Sequence, residues 1–156
     1  MRTLLIASLS LFSTAAWADP IPTERPQPSL SQEKIYRALS VRDPVPSCET
    51  VEGMSETPVA DLLFVVEHAQ QPPWTAMRAA QCLVRRHATT VQPQIESWVS
   101  QESTRGLALM TLGLIDSLPM TVALPVAQRA LEGPLASDAK SRLLKSALPE
   151  IQKLAQ

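Results

Sequence analysis

The amino-acid sequence predicts an all-α protein, and three observations support that prediction. Prolines outnumber glycines by 14 to 4 in a 156-residue chain rich in alanine and leucine, which favours short helices separated by proline. Apolar residues recur at spacings of three and four, as one buried face of a helix requires. Strand signals are missing, because no segment sustains an alternation of polar and apolar residues and the chain has one tyrosine.

The N-terminal residues 1–18 have the pattern of a secretory signal peptide. Arg2 precedes an apolar stretch over residues 4–12, and the segment closes with Ala-Trp-Ala at 16–18. A basic start, an apolar centre and an A-x-A site are typical of exported proteins. We therefore expect cleavage after Ala18 and a periplasmic or secreted chain. No later stretch has the roughly 20 apolar residues that a transmembrane helix needs, so no membrane span is expected.

Two further segments complete the predicted domain organisation. Residues 19–29, DPIPTERPQPS, are proline-rich and are interpreted as an extended linker. Residues 30–156 form the predicted helical domain. Its first helix covers 30–40, with Ser29 or Ser31 as the cap, and a turn follows around 48–54. The second helix begins at Thr57-Pro58, because proline suits the first helical position. Its predicted apolar stripe is Val59, Leu62, Leu63 and Val66, and Phe64 and Val65 broaden it.

Five more helices are predicted, over residues 72–88, 91–101, 103–117, 121–133 and 137–148, with a tail broken at Pro149. The helix at 72–88 places its alanines with Leu83 and Val84 on one face, and Cys82 at the border of that face. The helix at 103–117 is apolar almost all round, which predicts a central, buried position and makes Leu109 a core residue. Trp74 and Trp98 line apolar stripes, so both are also expected in the core.

The second helices of successive pairs share a pattern of residue types. The corresponding positions are Ala76/Ala79/Leu83, Arg105/Ala108/Leu112 and Lys140/Leu143/Ala147. The pattern of a basic residue, a small residue three positions on and an apolar residue seven positions on resembles the second helix of HEAT repeats, over about residues 57–148. The first set lacks the basic residue, because position 76 is alanine. The resemblance implies a short HEAT-like α-solenoid of about three helical hairpins that serves as a binding scaffold. An irregular helical bundle is the alternative fold.

Catalytic and metal-binding patterns in the sequence are incomplete. Ser31-x-x-Lys34 and Ser137-x-x-Lys140 match S-x-x-K, but enzymes with that motif also need S-D-N and K-T-G, and this chain has no asparagine. Each serine is better interpreted as a helix N-cap. The candidate zinc ligands Cys48, Cys82, His68 and His87 include no close pair, and His68 lies near a helix end. The carboxylates of Glu49, Glu52 and Glu56 define no acid–base pair. No enzyme activity, metal or cofactor is therefore predicted.

The two cysteines, Cys48 and Cys82, are expected to form a disulfide, because an exported chain meets an oxidising compartment. The net charge of −1 gives no basis for nucleic-acid binding. The predicted function is an exported, non-catalytic scaffold or adaptor that binds a protein partner through a helical-repeat surface. The alternative is a subunit or inhibitor of an envelope enzyme. An exposed groove lined by the second helix of each pair would favour the scaffold. A deep pocket that contains histidines or carboxylates with shifted pKa values would favour the enzyme.

Overall fold

The computed structural model of the protein describes residues 26–156. The predicted signal peptide and residues 19–25 of the predicted linker lie outside the described residues. Every regular element in the described range is helical, which confirms the all-α prediction. No helix in this range has the length and apolar content needed to cross a membrane.

Nine α-helices follow one another over residues 26–156. The first four are α1 Leu30–Ser40, α2 Cys48–Glu52, α3 Pro58–His68 and α4 Trp74–His87. The remaining five are α5 Gln92–Val99, α6 Arg105–Gly113, α7 Met120–Glu132, α8 Ala136–Leu143 and α9 Pro149–Leu154. Short 3-10 turns at Glu102–Thr104 and Ile115–Ser117 flank α6.

Helix α1 begins with a capping box. The Ser29 hydroxyl accepts a hydrogen bond from the backbone N–H of Gln32 at 3.2 Å, and the Gln32 side chain accepts one from the N–H of Ser29 at 2.8 Å. Two backbone donors at the helix start are thereby satisfied. Ser29 is therefore the cap among the two serines that the sequence offered.

Helices α2 and α9 were not predicted. The segment expected to be a turn around 48–54 forms the single-turn helix α2, whose cap is Ser47; its hydroxyl accepts the N–H of Thr50 at 3.1 Å. Pro149 begins α9 rather than ending the ordered tail. Proline is tolerated there because the first turn of a helix needs no N–H donor.

The helices pack as neighbouring pairs along the chain. Helix α3 lies against α4, α5 against α6, and α7 against α8; α4 also contacts α6, and α6 contacts α8. Helix α5 contacts α7, α7 contacts α9, and α1 lies across both α3 and α4. Buried alanines occupy many of these interfaces, where small side chains let helix axes approach closely: Ala79, Ala80, Ala108, Ala123, Ala127, Ala130 and Ala139.

Three predictions about the core were wrong. Helix α6 is not buried all round: its buried residues are Ala108, Thr111 and Leu112, while Leu109 is half-buried. This nine-residue helix packs against α4, α5 and α8, which leave one side open. Trp98 is buried, but Trp74 is 38% exposed at the start of α4.

The buried face of α3 also differs from the predicted stripe. Asp61, Leu62 and Val65 are buried, whereas Val59 is half-buried. Helix α1 packs on α3 and covers the face that contains Asp61. Phe64 and His68 of the same helix lie at the surface beside α1.

Candidate functional site

A groove of about 630 Å³ lies between α1 and the C-terminal end of α3. Tyr36 on α1 and Phe64 and His68 on α3 supply its aromatic side chains. Pro26 and Pro28, in the segment before α1, border it. We call this surface the α1/α3 groove. Its volume lies within the roughly 300–1,000 Å³ of typical ligand pockets.

The aromatic side chains reach the groove because of how their helices are buried. Helix α1 buries Ile35 and Leu39, so the side chain of Tyr36 is only half-buried beside the groove. Phe64 and His68 are four residues apart on α3, so they neighbour each other along the helix. Their ring centroids are 4.4 Å apart, with an angle of 50° between the ring planes. The Tyr36 hydroxyl donates a hydrogen bond to the backbone carbonyl of Gln71, which fixes the ring.

The rim of the groove is polar. Arg37 forms an ion pair with Glu33 one turn earlier on α1, and both side chains are largely exposed. His68 Nε2 lies 3.9 Å from Glu67 Oε2. Exposed pairs of this kind contribute little to stability. The groove therefore combines aromatic walls with a rim on which Arg37 and Glu33 pair with each other.

The carboxylate of Asp61 fixes the position of α1 against α3. It is 4% exposed and accepts three hydrogen bonds: from Ser31 Oγ and Ser55 Oγ, each at 2.6 Å, and from Gln32 Nε2 at 2.9 Å. Burial raises the pKa of Asp61, but the hydrogen bonds from both serines and the glutamine outweigh it and lower the pKa overall. The ionised carboxylate therefore ties the start of α1, the loop before α3 and α3 itself together.

The serines of the two S-x-x-K matches have different surroundings. Ser31 donates to Asp61, which explains the residue without a catalytic role. Ser137 lies inside the first turn of α8, where Leu135 occupies the cap position and no side-chain cap bond forms. The prediction that Ser137 caps its helix was therefore wrong.

Helix α2 is held on α4 by a covalent bond and an ionic cluster. Cys48 and Cys82 form a disulfide with an S–S distance of 2.07 Å, which is the expected pairing. Both carboxylate oxygens of Glu52 lie 2.9 Å from Arg86 Nε, and Oε1 lies 3.0 Å from His87 Nε2. The cysteines are thus not available as thiolate ligands. Within residues 26–156, no three His, Cys, Asp or Glu side chains are grouped to hold a metal ion.

Two side chains of α4 cap the C-terminal end of α1. Arg78 donates to the carbonyls of Leu39, at 2.9 Å, and of Val41, while Trp74 Nε1 donates to the Ser40 carbonyl at 3.2 Å. The Arg78 guanidinium also lies 5.8 Å from the centroid of the Trp74 ring. A cation is favourable at the C-terminal end of a helix, where backbone carbonyls lack partners. This role explains why Trp74 lies at the surface instead of in the core.

Another groove, which is polar and has a volume of about 530 Å³, lies between α6 and α8. Each of these helices is the second member of its helical pair. We call it the α6/α8 groove; Asp138, Arg142 and Lys145 line it together with Asp116. Asp138 Oδ2 is 2.6 Å from the Arg105 guanidinium. Asp116 accepts a hydrogen bond from the Ala147 N–H at 2.9 Å, which fixes the turn before α9. The carboxylates of this groove are therefore engaged in holding neighbouring elements.

The α1/α3 groove was not predicted as a site from the sequence. Phe64 was assigned to a broadened apolar stripe, and His68 was recognised only as a residue near a helix end. An aromatic pair at i and i+4, beside the predicted stripe, was the available signal. Comparison of the chain with protein-family models, curated proteins and solved structures finds no match. A function is therefore inferred from the geometry of the molecule itself.

Proposed function

We propose that the protein is an exported, non-catalytic scaffold or adaptor that binds a protein partner through a HEAT-like helical-repeat surface. The observation that carries this proposal is the α1/α3 groove. Its half-buried Tyr36 and Phe64 rings offer apolar contact area beside a polar rim. Interfaces commonly combine an apolar, aromatic centre with a polar border. In this proposal the partner segment lies across α1 and α3, at the end of the array where α1 covers the first helical pair, and not across the second helices.

The packing order of the helices supports a short α-solenoid. Three pairs, α3/α4, α5/α6 and α7/α8, follow in chain order, and each second helix contacts the next second helix. In such arrays each repeat contacts only its neighbours, and the terminal units cover the exposed ends. In this proposal α1 and α2 cover the first pair, and α9 covers the last. The α6/α8 groove between second helices also agrees with a scaffold.

The disulfide supports export. Disulfides form and persist in oxidising compartments such as the bacterial periplasm and the extracellular space. The Cys48–Cys82 bond therefore agrees with a signal peptide that is removed after Ala18. The near-neutral charge of the chain favours a protein partner over nucleic acid.

The alternative, a subunit of an envelope enzyme, has less support. Asp61 is the carboxylate with a shifted pKa among the described residues, and its shift is explained by bonds to Ser31, Ser55 and Gln32. These bonds connect helices of the same chain. Asp61 is buried beneath the surface and does not line the α1/α3 groove. Its titration is thus accounted for by a structural role.

Capture of a partner from an envelope extract tests the proposal. The immobilised chain is compared with a groove variant, Phe64→Ala with His68→Ala, and with a control, Gln128→Ala with Arg129→Ala, at exposed positions of α7 that line neither groove. We expect one protein, identified by mass spectrometry, to be retained by the native chain and the control. Its affinity for the groove variant should fall by about tenfold or more, since central aromatic contacts dominate binding energy.

Circular dichroism and thermal melting of each variant establish that it is folded. Equal capture by the native chain and the groove variant would contradict the proposal. A further variant, Arg142→Glu with Lys145→Glu, tests the α6/α8 groove. If only this variant fails to capture the partner, the partner binds the α6/α8 groove and its assignment to the α1/α3 groove is wrong.

A further inference from the structure

The α1/α3 groove has a proline-containing segment of this chain along one side. Pro26 and Pro28, with Gln27 between them, border the groove and lie outside any helix. Proline side chains of a non-helical segment therefore already lie against this surface.

The walls of the groove suit the chemistry of such a segment. Proline side chains are flat, apolar and conformationally restricted, and aromatic-lined grooves recognise them in a preformed polyproline II conformation. Tyr36, Phe64 and His68 supply three flat rings here. The Tyr36 ring is held by its bond to the Gln71 carbonyl, so it need not be ordered by the ligand. A wall that is ordered in advance reduces the entropic cost of binding.

The polar groups of the groove also suit an extended chain. A polyproline II segment has no internal hydrogen bonds, so its carbonyls are available as acceptors. Gln27 and Gln71 line the groove, and within residues 26–156 their side-chain amides make no hydrogen bond. Each amide supplies N–H donors for such carbonyls. In contrast, the Gln32 amide is already bonded to Asp61.

The charges at the rim do not select a charged ligand. Arg37 and Glu33 are the Arg and Glu side chains of the groove lining, and they pair with each other, so neither presents an unpaired charge to a ligand. Specificity must then come from the shape of the ligand and from hydrogen bonds. Resting on the proposed function, we infer that the α1/α3 groove binds an extended, proline-containing segment of the partner protein, with proline side chains against Tyr36, Phe64 and His68.

The single tyrosine of the chain provides a direct probe of the groove. Biosynthetic labelling with 3-fluorotyrosine gives one 19F resonance, from Tyr36. The labelled chain is titrated with the capped peptide acetyl-QPPQPPQPP-amide and with a control in which alanine replaces every proline. We expect a saturable shift with the proline peptide and an affinity about tenfold or more lower for the alanine peptide.

Two variants connect that shift to the groove. The double variant Phe64→Ala with His68→Ala should lower the affinity for the proline peptide by about tenfold or more, because central aromatic contacts dominate binding energy. Lys34→Ala, at an exposed position of α1 outside the groove lining, should leave the affinity unchanged. Absence of a saturable shift in the folded native chain would overturn the inference, and so would equal affinity for both peptides.

Other occupants give different results. If the peptide binds only a chain shortened to begin at Pro26, residues 19–25 occupy the groove and the inference is wrong. A change of the Tyr36 resonance with protein concentration alone identifies a second copy as the occupant and also overturns it. If a captured partner displaces the peptide from the groove through a segment that contains no proline, this inference is wrong but the proposed function stands. If the proline peptide binds the groove but no partner protein is captured, the inference about the groove stands and the proposed scaffold function is contradicted.

Discussion

The two ends of the molecule are held by different interactions. From α1 to α4, the chain is held by the Cys48–Cys82 disulfide, the buried Asp61 carboxylate and the Glu52 cluster. From α5 to α9, the described residues contain no disulfide, and apolar packing predominates beside the Asp116 hydrogen bonds and the Arg105–Asp138 ion pair. Helix α7 illustrates this packing, since its buried residues are Val122, Ala123, Val126, Ala127 and Ala130.

The difference follows from how much apolar surface each helix buries. Helix α2 has five residues and buries only Val51, and α1 buries Ile35 and Leu39. Burial of a single aliphatic side chain contributes about 1.5–3 kcal/mol, which is comparable to the entropic cost of ordering only one or two residues. Covalent and directional polar bonds therefore fix α1 and α2. Because these two helices include one wall of the α1/α3 groove, the bonds that hold them also shape the proposed site.

Reduction of the disulfide is expected to have the largest effect. Cys48 and Cys82 are separated by 34 residues, for which the chain-entropy relation gives about 3–4 kcal/mol of stabilisation. Titration of the denatured, unreduced protein should find no free thiol, and a reductant should lower the melting temperature. Hydrogen exchange should accelerate in α1 and α2 more than in α7, because neighbouring units are held separately. Two titratable thiols, or equal acceleration in α2 and α7, would contradict this account.

A pair of leucines in α6 tests the apolar end. Leu112 is 2% exposed, whereas Leu109 is half-buried on the open side of the helix. Leu112→Ala should lower the free energy of unfolding by about 3 kcal/mol, as truncation of a buried leucine does. Leu109→Ala, with the same chemical change in the same helix, should lower it by about 1 kcal/mol. Equal losses in denaturant unfolding would show that α6 is buried on both sides.

Removal of the Asp61 charge should have the smallest of the three effects, and that effect depends on pH. Asp61→Asn keeps the shape but removes the carboxylate that accepts from Ser31, Ser55 and Gln32, so about 2 kcal/mol of stability should be lost near neutral pH. The pKa of Asp61 is lowered by folding. Its stabilisation is therefore complete above the pKa of the unfolded chain, about 3.9, and disappears as pH falls through the lower pKa of the folded state.

Denaturant unfolding of the native chain and the Asp61→Asn variant at several pH values measures this dependence. The difference in stability should be constant from pH 7 to about pH 5 and should shrink below about pH 4. Glu56→Gln, which removes a carboxylate at an exposed position of the loop before α3, is the matched control and should change stability by less than about 0.5 kcal/mol. A difference that grows as the pH falls would mean that burial, and not hydrogen bonding, determines the pKa of Asp61.

Much of the secondary structure followed from local sequence signals. The predicted helix at 30–40 coincides with α1, and the predicted start at Pro58 coincides with α3. Caps and first-turn prolines are local features, so they can be recognised without knowledge of the fold. Helices α2 and α9 were missed because short helices have too few residues to show periodicity. The cysteine pairing was also accessible, since two cysteines in one chain permit a single intramolecular bond.

The sequence by itself determined the helical class, most helix positions and the cysteine pair, because each depends on neighbouring residues or on composition. Tertiary structure alone decided which face of each helix is buried. Asp61 is buried in α3 because Ser31, 30 residues earlier, donates a hydrogen bond to it. Trp74 is at the surface because the end of α1 lies beside it. The α1/α3 groove has the same origin: Tyr36 and Phe64 come together only when α1 packs across α3, and no local pattern encodes that contact.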